Sequence, residues 1–327
     1  MKLRRAGALL LLWVMLVSFA GAEGAETVTF RDLTVSKDVE YINIEKSIRD
    51  TEWDKFYKFL AQLPNLKKVD MYSSTIGLKA YRKMSAICPD VEFGVQIRLG
   101  QNKVRTDVTA FSTLYAKANG SIFYSYDEIE MLTWCKNLYA LDIGHHPVKK
   151  LDFLYELPEL RVLVVALCEL TDITPIASLE HLEYLEIFHN NITDISCLTN
   201  LHYLMDLDLV QNYIEDLSPL MEMKSLKRLW LFRNMKHDMN SPDMETVQKL
   251  QEALPDCFIE ARGTSKSKGW VDHPHYRTIR KCFLSRQYEP FEDSDPENMP
   301  EPWRSEKLKE LEEQAQETAE IPAEGNE

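Results

Sequence analysis

Residues 179–200 read LEHLEYLEIFHNNITDISCLTN, and this pattern recurs with a 22-residue period between Cys135 and about residue 250. A second leucine column follows the first by three residues, and an aliphatic column comes two residues later. The first column consists of Leu138, Leu160, Leu182, Leu204 and Leu226. A unit of this length cannot bury its apolar face alone, so the units must stack into a solenoid.

The second half of each unit carries its own motif. It reads NNITDISCL at residues 190–198 and NYIEDLSPL at residues 212–220. With the leucine columns, these segments resemble the internalin-like leucine-rich repeats of bacterial surface and secreted proteins. The resemblance is strong over residues 135–234, looser over 39–134, and ends near residue 285. It implies an α/β solenoid, a horseshoe with a parallel concave β-sheet, and a binding scaffold whose partner it does not specify.

Composition and periodicity divide the chain into five parts. The N-terminal repeats are predicted to be longer, because Val69 and Met71 follow Ile42 and Ile44 at a 27-residue interval. They are predicted to bear helices, because apolar residues between these two strands recur at helical spacing. The five predicted parts are a signal peptide (1–22), an N-terminal cap with long irregular repeats (23–134), regular 22-residue repeats (135–256), a C-terminal cap (257–288), and an acidic, mostly disordered tail (289–327).

The segment 1–22 is typical of a secretory signal. A basic start at Lys2, Arg4 and Arg5 precedes an apolar run, and Ala20-Gly21-Ala22 offers a small-residue cleavage site. We therefore expect a secreted or cell-surface, extracytoplasmic protein. An uncleaved membrane anchor is the alternative, and only then would the chain contact a membrane.

The net charge of −14 is concentrated at the end of the chain, since residues 289–327 hold 14 acidic and three basic residues. An acidic chain without a basic stripe argues against nucleic-acid binding. The low apolar content of the tail predicts disorder, apart from a short helix between Ser305 and Thr318.

The six cysteines are predicted to be mainly buried thiols. Cys135 and Cys168 fall in interior columns of the repeat, where a free thiol acts as a small hydrophobe. One disulfide between Cys257 and Cys282, near the C-terminal cap, remains the alternative.

Strand alternation sends a second set of side chains away from the solenoid core, onto the concave face. Many of these side chains are apolar or aromatic, which indicates either a partner surface or a face covered by the C-terminal cap or tail. A protein partner is the favoured ligand, and a carbohydrate stacked on Trp230 and Phe232 beside Glu186 and Asp208 is the alternative. The predicted site, which we call the concave patch, comprises Tyr184, Glu186, Phe188, Asp208, Val210, Arg228, Trp230, Phe232 and Arg233.

Other polar columns favour structural roles. Asn190, Asn212 and Asn234 turn inward, where the bend leaves backbone groups that need partners. Asp172, Asp194 and Asp216 suit hydrogen bonding in turns, with calcium binding as the alternative.

We predict no enzyme, no cofactor and no metal site. The chain lacks the sequence motifs of common hydrolases and of phosphate-binding loops, and its 11 glycines leave little material for such loops. His145 and His189 lie two repeats apart, too far for one ion. His273-Pro274-His275 is predicted to serve the C-terminal cap.

Overall fold

The computed structural model describes residues 26–100, 102–114, 123–234, 242–263 and 267–320. The predicted signal peptide therefore lies outside the described residues. Across these ranges, no helix is long and apolar enough to cross a membrane.

The N-terminal region alternates strands and helices around its own four-stranded sheet. In this sheet β3, β4 and β5 are parallel, and β6 returns antiparallel to β5. Ile42 pairs with Val69 at the predicted offset, so the helix-bearing N-terminal repeats are confirmed. The elements are β1 (Thr27–Phe30), β2 (Leu33–Ser36), β3 (Tyr41–Asn43), α1 (Trp53–Leu60), β4 (Lys68–Ile76), α2 (Leu78–Ile87), β5 (Glu92–Leu99) and β6 (Asn102–Arg105).

A second sheet of seven parallel strands forms the concave face of the solenoid. Neighbouring strands are offset by one repeat, so Leu185 pairs with Leu163 on one side and with Leu207 on the other. This register confirms the predicted leucine-rich-repeat horseshoe. The strands are β7 (Ala110–Ser112), β8 (Ala140–Asp142), β9 (Val162–Val164), β10 (Tyr184–Glu186), β11 (Asp206–Asp208), β12 (Arg228–Trp230) and β13 (Phe258–Glu260).

This sheet reaches one strand beyond each end of the predicted repeat region, 135–256. Ala110 pairs with Ala140, and Arg228 pairs with Phe258, so each terminal coil is longer than the regular coils. A helix is inserted into each of these coils, α3 (Tyr126–Glu130) and α4 (Met244–Ala253). The longer coils break the 22-residue period, so the sheet extends beyond the regular repeats at both ends.

The asparagine and aspartate columns hydrogen-bond the backbone in the turns of each regular coil, as predicted. Asn212 donates from Nδ2 to the carbonyls of Ile187 and Leu209, both at 3.0 Å, and its Oδ1 accepts the Ile192 N–H at 3.2 Å. Asp194 accepts the Ser196 N–H at 2.8 Å, and Asp172 and Asp216 make equivalent bonds. The structural roles of both columns are confirmed.

After β13 the chain returns across the concave face. We call residues 267–302 the C-terminal cover; it contains α5 (Ser267–Trp270), α6 (Pro274–Ser285) and an irregular strap, residues 287–302. The strap buries Phe291 and Met299, so the predicted disorder is wrong for residues 289–302. The strap has few apolar side chains, but Phe291 packs in the hydrophobic cluster of the concave face, and composition alone does not show such a contact.

The last element, α7 (Trp303–Glu320), contains the short helix that was predicted in the tail. Leu308 and Leu311 are exposed on α7. Trp303 at the start of α7 packs against the hydrophobic cluster of the concave face, and the rest of the helix adds little to the core.

All six cysteines lie within the described residues and carry free thiols. Five are buried and Cys197 is half-buried, as the interpretation of the repeat columns predicted. Burial raises the pKa of the Cys135 thiol to about 12, which keeps it protonated and unreactive.

Two truncations test the role of the strap. Deleting residues 287–327 removes the buried Tyr288, Phe291 and Met299, each worth about 1.5–3 kcal/mol. We expect the thermal midpoint to fall by about 10 °C or more. Deleting residues 308–327 is the matched control and should leave the midpoint nearly unchanged. Equal midpoints for the two truncations in a thermal melt would contradict the assignment of the strap to the core.

Candidate functional site

The seven-stranded sheet separates two hydrophobic clusters. Leu185 and Ile187 belong to the solenoid core, whereas Tyr184 and Phe188 belong to a second cluster on the concave face. Strand alternation therefore predicted the direction of these side chains correctly. The second cluster also contains residues of the cover, namely Trp270, Ile279, Cys282, Phe283, Tyr288 and Phe291.

The concave patch is covered by the protein's own chain. Eight of its nine residues are buried, and only Arg233 is exposed. The expectation of an exposed patch is therefore wrong, and the alternative, cover by the C-terminal cap and the start of the tail, describes the structure. The eight buried residues are Tyr184, Glu186, Phe188, Asp208, Val210, Arg228, Trp230 and Phe232.

Aromatic contacts make up much of this cover. The Trp270 ring lies 5.0 Å from Trp230 and 5.2 Å from Tyr184, measured between ring centroids. Phe291 of the strap lies 6.2 Å from Tyr184. Phe232 packs against the backbone at Gly263, where a Cβ would stand 2.7 Å from the Phe232 ring. Aromatic pairs at these separations add to the free energy gained by burial.

A buried charge network ties α6 and the strap to the sheet. His275 contacts Asp206 through Nδ1 at 2.5 Å and Asp293 through Nε2 at 2.7 Å. Arg228 donates to the other oxygen of Asp206 at 2.6 Å, and its guanidinium lies 4.7 Å from the Trp270 ring centroid. The His273-Pro274-His275 segment, assigned to the C-terminal cap from the sequence, thus lies on the concave sheet, and the aspartates that His275 joins could not be identified from the sequence.

The pKa values in this network follow from burial and pairing. Burial alone would lower the pKa of His275, but the hydrogen bonds and charges of Asp206 and Asp293 together outweigh burial and raise it. Burial alone would raise the pKa of Asp206, but hydrogen bonds from His275 and Arg228 hold it below its ordinary value. The network therefore favours an imidazolium between carboxylates.

Glu183 anchors a second polar network beneath the strap. Its two oxygens accept the Ser294 hydroxyl at 2.5 Å and the Asn298 amide at 2.7 Å. Arg161 donates to the Asn298 carbonyl at 3.1 and 3.2 Å. Burial raises the pKa of Glu183 to about 7. Sequence reasoning missed this residue, because its partners lie in a distant part of the chain.

One part of the concave face is not filled. Between β8–β10 and α6 the structure leaves a cleft of about 110 Å³, floored by Asp142, Gly144, Val164, Ala166, Glu186 and Phe188. Gly144 and Ala166 occupy the column that holds Phe188 and Phe232 in later coils, so small residues create the space. We call this region the residual cleft.

The residual cleft has apolar walls and charged edges. Ile279 and Phe283 of α6 face Val164 and Ala166 across it. Asp142 accepts the Ser112 hydroxyl at 2.6 Å and the Gly144 N–H at 2.9 Å, and Glu186 accepts the Trp270 Nε1–H at 2.8 Å. The exposed side chains lining its edge are Leu114, His145 and Arg280.

In the described part of the chain, no three His, Cys, Asp or Glu side chains lie close enough together to hold a metal ion. The two carboxylates of the residual cleft already accept hydrogen bonds from protein donors.

No protein-family model and no curated protein matches the chain. Among solved structures, internalin C2 of Listeria monocytogenes is 17% identical with a TM-score of 0.33, and the match covers 72% of this chain and 81% of that chain. A second Listeria monocytogenes internalin is 18% identical with a TM-score of 0.34, covering 69% and 77%.

A plant structure is similar over a shorter length. The ectodomain of the Arabidopsis receptor kinase HAESA, solved with a peptide hormone ligand, is 18% identical with a TM-score of 0.29. The match covers 57% of this chain and 32% of the ectodomain. The leucine-rich-repeat assignment rests on the strand register of the chain itself.

Replacing Trp230 tests whether the cover is part of the core. Because Trp230 is buried between Trp270 and Phe258, Trp230→Ala should lower the free energy of unfolding by about 3–5 kcal/mol in urea denaturation. Arg233→Ala, at the exposed member of the patch, should change it by less than about 0.5 kcal/mol. A stable Trp230→Ala protein would show that the concave patch is free in solution.

Proposed function

We propose that this chain is an exported, non-catalytic leucine-rich-repeat scaffold that binds a protein partner at the residual cleft of its concave face. Of the concave patch, Glu186 and Phe188 line this cleft, and they remain proposed contact residues. The other buried members of the patch are proposed to hold the cover instead.

The observation that carries the proposal is that the concave face already holds a polypeptide segment. The cover is bound through buried aromatic anchors and charge-assisted hydrogen bonds, the contacts that dominate protein interfaces. The same face continues into the residual cleft, where the bound segment leaves space. A second polypeptide therefore finds similar chemistry beside the first.

The size of the cleft supports a protein side chain over a small-molecule substrate. Its volume of about 110 Å³ is well below the roughly 300–1,000 Å³ of typical ligand pockets. An apolar side chain of a partner would contact Val164, Ala166 and Phe283, while Arg280 and His145 meet polar groups around it. The carbohydrate alternative has no such support, because Trp230 and Phe232 are buried under the cover.

Peptide display tests the site without a known partner. A random peptide library is selected on the full-length protein, and the enriched peptides are measured against two variants. Val164→Trp fills the cleft, and Arg280→Glu reverses the charge at its edge. We expect each variant to weaken binding about tenfold or more.

Tyr155→Ala removes an exposed side chain from the turn at Asp152–Glu156, outside the cleft, and is the matched control. Peptides that bind all four proteins equally, or a selection that enriches none, would rule out the residual cleft as the partner site. Circular dichroism of each variant separates lost binding from lost folding.

Export is proposed from the signal-like sequence of residues 1–22. Intact-mass measurement of the protein from its natural host should give a chain that begins at Glu23. A mass that includes residues 1–22 would favour the uncleaved membrane anchor instead.

A further inference from the structure

His275 lies between two carboxylates that belong to different elements. Its Nδ1 faces Asp206 of β11 and its Nε2 faces Asp293 of the strap. Only the doubly protonated ring can donate to both oxygens at once. A neutral ring must turn one nitrogen lone pair towards a carboxylate, so the bridge from sheet to strap depends on the proton.

Glu183 provides a second proton-dependent contact with the strap. Ser294 and Asn298, both in the strap, occupy its two oxygens, and the side chain is buried. Removing this carboxylate from water costs free energy when it is ionised and little when it is neutral. The hydrogen bonds from Ser294 and Asn298 favour the ionised form, but burial outweighs them and raises the pKa of Glu183, so ionisation opposes the buried, strap-covered arrangement.

Other charged groups face these two residues. Around His275 stand Arg228 of β12, His273 at the start of α6, and Lys227, which pairs with Asp293 at 2.8 Å. Phe291 stacks on the His275 ring with centroids 4.2 Å apart. Near Glu183, the guanidinium of Arg161 lowers the cost of ionisation but does not cancel it.

We propose that the strap is a proton-dependent latch, which holds the concave face tightly at mildly acidic pH and loosens as the pH rises past neutrality. The proposal is independent of the residual cleft and its partner. Loosening the strap uncovers Glu183 and one side of Tyr184, which Phe291 contacts. The latch thus controls access to part of the concave patch.

His275 and Glu183 both weaken the closed form of the strap as the pH rises. The pKa of His275 is raised in the closed form, so its contribution is complete below the ordinary value of 6.5 and is lost as the pH rises through the raised value. The pKa of Glu183 is raised from 4.5 to about 7, so closure weakens between these values. Burial lowers the pKa of His273 to about 4, so this ring is neutral throughout the window.

Hydrogen exchange measured by mass spectrometry on the full-length protein tests the latch. Peptides from the strap should lose protection by about tenfold or more between about pH 5.5 and about pH 8.5, after correction for chemical exchange. Peptides from β9–β11 report on global unfolding and should change by less than about threefold. Strap protection that is constant over this range would overturn the proposal.

Variants assign the effect to the two residues. His275→Gln should lower strap protection at acidic pH towards the alkaline level of the wild-type protein, and Glu183→Gln should retain more protection at alkaline pH. His189→Gln is the matched control, since Gln211 occupies the same left-handed position one repeat later. An unchanged pH profile in His275→Gln, with β9–β11 still protected, would also overturn the latch.

Discussion

Both faces of the seven-stranded sheet carry large apolar side chains that must be buried, and the remaining architecture depends on this constraint. The inner face packs into the solenoid core, and the outer face presents Tyr184, Phe188 and Trp230. Exposing several such side chains would cost on the order of 10 kcal/mol, comparable to the net stability of a whole domain. The C-terminal cover therefore belongs to the fold and is not an accessory to it.

Polar groups specify how the cover sits on this surface. Apolar contacts are non-directional, but the Asp206–Arg228 ion pair and the two contacts of His275 fix one arrangement of α6 and the strap. Buried ion pairs of this kind contribute little net stability, because desolvation offsets their attraction. Their consequence is geometric specificity together with sensitivity to protons.

The same constraint explains where the concave face is open. Phe188, Val210 and Phe232 fill their column under the cover, whereas Gly144 and Ala166 leave the residual cleft. A partner that enters there need not displace the aromatic cluster. Displacement of the whole cover would require the large free energy given above, so recognition at the cleft is the less costly route.

The repeat period alone determined the solenoid, the direction of every side chain on β8–β12, and the structural roles of the asparagine and aspartate columns. These features depend on contacts one repeat apart, which a fixed period encodes directly. The first strand of the sheet, β7, was missed because an inserted helix lengthens its coil beyond the regular period.

Only the tertiary structure decided whether the concave patch is exposed. That outcome depends on contacts such as Glu183 with Asn298 and Arg161 with Asn298, which join distant parts of the chain and follow no period. The strap has few apolar residues, and this composition suggested disorder. Those residues are ordered because the rest of the protein buries them, which composition does not show. The sequence thus shows which side chains point away from the core, but the path of the C-terminal cover determines which of them are exposed to solvent.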